Sequence, residues 1–172
     1  CVTTSSPPPI SGQDCGTAAI LCDNSSFGQG SSTAGSGAVF GNTSNENLSA
    51  FGCLFTDERQ SKWYKFTAGC NGTIEFMIDP ITNTNDYDFA VYDITTSGCA
   101  LTPGGATAGG ATQVVCNYSA CAGTTGATSV ANPCTTYGAN DCGGPPGCQA
   151  DGVEAPPTLI AGHTYALIID NF

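Results

Sequence analysis

The stretch ERQSKWYKFTAGCNGTIEFMIDPITNTNDYDFAVYD, Glu58 to Asp93, decides the fold, because pattern, charge and turn chemistry agree along it. Three runs within it are dominated by aromatic and β-branched residues: Trp63 to Thr67, Thr73 to Asp79 and Asp88 to Ile94. Such side chains pack well on a pleated, half-buried surface, so each run is expected to be a strand. Cys70-Asn71-Gly72 separates the first two with an Asn-Gly pair that tolerates positive φ and suits a tight hairpin. Pro80 and the following TNTND make a longer polar loop before the third. In the middle run Ile74, Phe76 and Ile78 alternate with Thr73, Glu75, Met77 and Asp79, the pattern of a strand with one wet face. In the third, Tyr87, Phe89 and Val91 face one way and Asp86, Asp88, Ala90 and Tyr92 the other, so two carboxylates point together from a loop edge.

Outward from this stretch the chain is rich in turns. Glycine at 23 residues and proline at 10 disfavour long helices, and helical character is confined to a possible turn near Cys15 to Leu21. Residues Gly28 to Ser49 read as loop with one edge strand around Ala38-Val39-Phe40. Gln113 to Ser119 is a further strand, and Leu159-Ile160 with Thr164 to Asp170 form a closing pair around the turn Ala161-Gly162-His163. At 172 residues one domain is expected, all-β, over residues 14–172. Residues 1–13 are an extended arm, with Val2 to Ser5 β-prone and Pro7-Pro8-Pro9 favouring polyproline II. The segment 121–148 carries four cysteines among Gly, Pro, Thr and Asn, and is expected to be a surface insert held by disulfides instead of by apolar burial.

Three basic residues against 14 acidic ones give a negative surface that repels phosphate backbones, so no nucleic-acid partner is expected. Eleven cysteines without Cys/His metal spacing read as a disulfide framework made in an oxidising, extracellular compartment, with one thiol left over. No apolar run approaches the roughly 20 residues of a membrane-spanning helix, so no transmembrane segment is expected. His163 is the only histidine and sits in a turn; no G-x-S-x-G or H-E-x-x-H occurs, and no pair of acids is singled out. The chain is therefore expected not to be an enzyme. Trp63, Tyr64 and Phe66 are expected to be core at least in part, a sugar-stacking platform being the rarer outcome.

The blocks GCLFTDERQSKWYKFT, GTIEFMIDP, NDYDFAVYD, VVCNYSA and AGHTYALIIDNF together resemble the jelly-roll modules of large secreted and surface proteins exported by bacterial type IX secretion. More distantly they are similar to the calcium-binding sandwiches called bacterial pre-peptidase C-terminal (PPC-like) domains, and the resemblance implies an antiparallel β-sandwich, jelly-roll or PPC-like, with long disulfide-held loops. The cysteine-rich insert is a departure from that family, whose members also continue past the IDNF block into one more strand. Asp86 and Asp88, with Asp170 ending the last strand and Glu58 preceding the first, offer hard oxygens at irregular spacing, which suits Ca²⁺ better than Mg²⁺ or Zn²⁺. By spacing alone these are solvated turn acids; the resemblance implies calcium.

A bridge between Cys99 and Cys116 is expected, because each borders a strand across the glycine-rich loop. Sequons at Asn24, Asn42, Asn47, Asn71 and Asn117 are frequent by chance in such a composition, whereas Thr3, Thr4, Ser5 and Ser6 are candidates for O-linked glycan. The expectation is a non-catalytic extracellular structural or adhesive module of a bacterial surface filament or fibre. It would assemble by strand exchange as a homo-polymer, or join another cell-surface protein. The alternative is a carbohydrate-binding or peptidase-accessory module of a larger secreted enzyme.

Overall fold

A computed structural model describes residues 12, 15–23, 54, 61–99, 112–119, 122–129 and 153–171. They form an all-β sandwich with a single 3-10 turn, Cys15–Thr17, at the position where the sequence allowed one. The strands are β1 (Ala19–Ile20), β2 (Lys62–Thr67), β3 (Gly72–Thr73), β4 (Phe76–Ile78) and β5 (Tyr87–Asp93), then β6 (Thr112–Asn117), β7 (Thr125–Ala127), β8 (Val153–Glu154), β9 (Thr158–Leu159) and β10 (Thr164–Asn171). Among the described residues no helix is long and apolar enough to cross a membrane.

The main sheet has the order β1-β2-β10-β5-β6. β10 lies at its centre, antiparallel to both β2 and β5, and both of its faces are apolar. One face carries Trp63, Ala90, Tyr92, Cys116, Ala166 and Ile168, packed with Cys15 and Leu54. The other carries Tyr64, Phe89, Val91, Val115, Tyr165 and Leu167. Against this second face lies an outer layer made of the β3-β9 ribbon and the β4-β7-β8 sheet. The alternating residues Ile74, Phe76 and Ile78 supply its contact, and Phe76 meets Phe89 edge to face at 5.0 Å.

The alternation expected from Thr73 to Asp79 holds, with Glu75, Met77 and Asp79 exposed, but the run is two strands and not one. Ile74 N donates to Pro157 O (3.2 Å) as β3 leaves β9, and Glu75 accepts hydrogen bonds from Thr128 Oγ1 (3.2 Å) and from the hydroxyl and amide of Ser129. The chain changes partners at Ile74-Glu75, so one run serves both parts of the outer layer. The hydroxyl of Ser129, before the other contacts, holds the Glu75 carboxyl below its ordinary range.

The insert is also corrected in part. Thr125 to Ala127 lie inside the reach expected to be a surface excursion, yet all three are buried. Small side chains make this possible: Gly126, at φ 150°, approaches β4 so closely that a Cβ there would lie 2.3 Å from Phe76 O. Cys121 and residues 130–148 of the insert, and the expected edge strand at Ala38 to Phe40, lie outside the described residues.

The expected Cys99–Cys116 bridge is not formed, because Cys99 is bonded to Cys15. Cys116 pairs in register with Ala90, three positions along β5 from Asp93 and so about 10 Å down the strand from the turn that leads to Cys99. Cys15 and Cys116 both belong to the cluster against which Cys99 packs, and it is Cys15 that forms the bond. Cys22 and Cys116 are disulfide-bonded as well, and Cys70, exposed in the β2–β3 turn, is the free thiol among the described residues. At the edge of the main sheet, Trp63 N donates to Gly12 O (2.6 Å) and Leu21 N to Lys65 O (2.8 Å). Gly12 is buried, so the expected arm already joins the sandwich at that residue.

Candidate functional site

The register of β5 and β10 sets Asp88 directly opposite Asp170, and both side chains are almost fully buried. They extend the face that carries Trp63, Ala90 and Ile168, so a polar row ends an otherwise apolar surface. The buried Ser61 adjoins this row, one position before the Lys62–Ile169 pair. Asp86 has the same parity as Asp88 and stands one residue before the strand. Its Oδ1 is buried with no hydrogen-bond partner, and burial raises its carboxyl above the ordinary range. Two of the four expected ligands are thus abreast, with the third on the same side. Among the described residues no group of three or more His, Cys, Asp or Glu side chains is gathered to hold a metal ion, and Glu58 lies outside them.

Carboxylates directly opposite each other on neighbouring strands stand only about 4.5–5.5 Å apart at Cβ, where like charges destabilise the pair. Burial strengthens that repulsion, because the local dielectric is low. A proton or a cation relieves it.

At the other end of the main sheet the single histidine is not a free turn residue. His163 Nδ1 lies 2.6 Å from Asp93 Oδ2, and both groups are half-buried. Asp93 Oδ1 accepts from Thr95 N (3.0 Å) and Thr95 Oγ1 (2.6 Å), while Thr164 N donates to Thr95 Oγ1 (3.0 Å). Burial pulls the Asp93 carboxyl upward, but the hydrogen bonds from Thr95 and His163 outweigh it and the net shift is downward.

A third polar contact had no signature in the sequence. Glu154 on β8 and Asn117 on β6 are wholly buried, and Asn117 Nδ2 donates to Glu154 Oε1 (2.9 Å). Glu154 shares an inward row with Phe76 and Ala127 of the outer layer, and Asn117 shares one with Phe89 of the main sheet. The bond therefore crosses the middle of the sandwich beside the Phe76–Phe89 contact. The Val153-Glu154 pair is too short to show periodicity, and only its distant partner marks it as core. Burial also closes the sequon at Asn117, whereas Asn71 is exposed and its Oδ1 accepts from Ala161 N (2.7 Å).

The aromatic trio is not a surface platform: Trp63 and Tyr64 are buried on opposite faces of β2, and Phe66 stacks with Tyr165 at 5.5 Å. Burial pushes the Tyr64 phenol up to about 12. Residues Thr3, Thr4, Ser5 and Ser6 lie outside the described residues. No protein-family model, no curated protein and no solved structure matches this chain.

Proposed function

We propose that the chain is a non-catalytic structural or adhesive module of an extracellular bacterial surface, joined to its neighbours by strand exchange. The supporting observation is how the segment leading out of the arm meets the sheet. Gly12 and Leu21 each hydrogen-bond to β2, and between them only Ala19 and Ile20 are in parallel pairing with it. Gly12 therefore stands at a sheet edge, and an edge is where an added β-prone segment can pair with another copy. Head-to-tail exchange of that kind is heterologous and builds an open filament. The disulfides at Cys15, Cys22, Cys99 and Cys116 favour an oxidising, extracellular setting.

Negative-stain images of the purified full chain, beside a variant lacking residues 1–11 that keeps Gly12, test this reading. Filaments are expected from the first and soluble monomers from the second. Filaments that persist without the arm exclude it as donor. Monomers of the full chain that bind on a glycan array favour the carbohydrate-binding alternative.

We further propose that calcium occupies the acidic rim. Asp88 and Asp170 would hold it, with Asp86 Oδ1 as an orphaned buried oxygen and with backbone carbonyls and Glu58 completing a shell of six to eight oxygens. The ion would neutralise the facing carboxylates. Extracellular sites of this kind bind at about 10⁻⁴ to 10⁻³ M, so millimolar Ca²⁺ is expected to raise the melting temperature over EDTA, and Asp170→Asn to abolish the difference. Identical melting curves in Ca²⁺ and EDTA for the parent chain refute the site.

A further inference from the structure

We infer that His163 and Asp93 form a pH-gated latch that fastens the β9–β10 turn to the exit of β5. The turn is held at several points. His163 O accepts from Ala68 N (3.0 Å), Gly162 N donates to Ala68 O (2.7 Å), and His163 N donates to Ile160 O (3.1 Å). The first two bonds tie the turn to the end of β2, and the third closes the turn itself. The only described side-chain link between the His163 ring and β5 is the 2.6 Å contact with Asp93. Tyr165 completes the assembly: its ring stacks on His163 at 6.4 Å and on Phe66 at 5.5 Å, and its hydroxyl accepts from Ile160 N (2.8 Å). Behind Asp93, Thr95 relays the attachment to Thr164, the first residue of β10.

The charge on one side of the latch depends on pH. Imidazole is the side chain whose ordinary titration falls between about pH 5 and 8, and this chain has one. Among the described residues the other titratable groups on the neighbouring elements are few. Tyr165 lies on the same face, Cys70 is exposed in the β2–β3 turn, and Lys65 points to the opposite face of β2, paired in register with Ala166. Asp93 is therefore the carboxylate that His163 answers to. Protonated imidazole and ionised Asp93 attract each other, and a neutral ring lacks that attraction. The Asp93 carboxyl titrates below its ordinary range in the folded chain, so its contribution is present above the unfolded value and is lost as pH falls through the lowered one. The ion pair is present where the ring is protonated and Asp93 ionised; with a neutral ring the Asp93 carboxylate keeps its hydrogen bonds without the charge on its partner.

The test is a set of melting curves of the full chain between pH 3.5 and 9 for the parent, His163→Gln and Asp93→Asn, each choice keeping a polar group of similar size. Exchange protection of the Thr95 and Thr164 amides is read in parallel. For a half-exposed pair in a domain of this length the parent is expected to exceed His163→Gln by about 2–3 °C near pH 5.5 and to lose that margin by pH 8.5. Asp93→Asn should flatten the same profile, and protection of the two amides should fall between pH 5.5 and 8.5 in the parent alone. A margin that is the same at both pH values, or absent at both, overturns the latch, as does an Asp93→Asn variant that retains the parent's pH profile.

Discussion

Replacing Cys15 and Cys99 together by alanine is expected to lower stability by about 4–5 kcal/mol, the largest effect of any change considered for this chain. The bridge spans a sequence separation of 84, and the loss of loop-closure entropy from the unfolded chain grows with the logarithm of that length. Both ends also matter in the folded state. Cys15 is buried in the cluster with Leu54, Trp63 and Tyr92, and Cys99 packs against it. Alanine keeps the sites apolar, so the loss reports the link and the sulfur volume, with no buried hydroxyl added. At about 2–4 °C per kcal/mol for a chain of this size, thermal unfolding should move down by roughly 10 °C or more. A shift under about 2 °C would mean that the bridge does not constrain the unfolded ensemble.

Asn117→Leu should produce the second largest loss, about 1.5–3 kcal/mol, by stripping Glu154 of a hydrogen-bond donor in the middle of the sandwich. A buried polar group that loses its partner bears its desolvation uncompensated, whereas removing both partners returns the site to ordinary apolar packing. The double variant Asn117→Leu/Glu154→Leu is therefore expected to be more stable than Asn117→Leu alone. A double-mutant cycle on chemical unfolding measures the coupling between the two positions. Additive losses would contradict the reading of this bond as a clamp between the layers.

The parts of the fold that were legible in the sequence are those whose information is local. The Trp63–Thr67 run, the alternation through Phe76 and the two-sided character of β5 follow from side-chain periodicity, and the structure places all three in strands. The juxtaposition of Asp88 and Asp170 was half legible: parity fixed which way Asp88 points along β5, and only the β5–β10 register put Asp170 abreast of it. What was not legible depends on distant partners. The break at Ile74-Glu75 is made by Pro157 and Ser129, far along the chain, and nothing in the run itself announces it. β7 is a Thr-Gly-Ala triplet whose fitness lies in having almost no side chain, the opposite of a strand signal. Cysteine spacing cannot fix connectivity, and a three-position offset in register was enough to send Cys99 to Cys15.

The Cys15–Cys99 bond has a mechanical consequence. Were the module built into a filament, as proposed above, it would carry load along its backbone, and a covalent cross-link would short-circuit the segment it spans. Were one of these domains pulled open from its two ends, the chain between the bridged cysteines could not pay out. With a separation of 84 and about 3.3–3.6 Å per extended residue, roughly 280–300 Å of slack stays locked away. The hidden length includes β1, β2 and β5, so these strands stay tethered to one another after β10 has been peeled from between β2 and β5. A thread built from such units would stretch little before its couplings give way, and a unit that had yielded would keep part of its template for closing again.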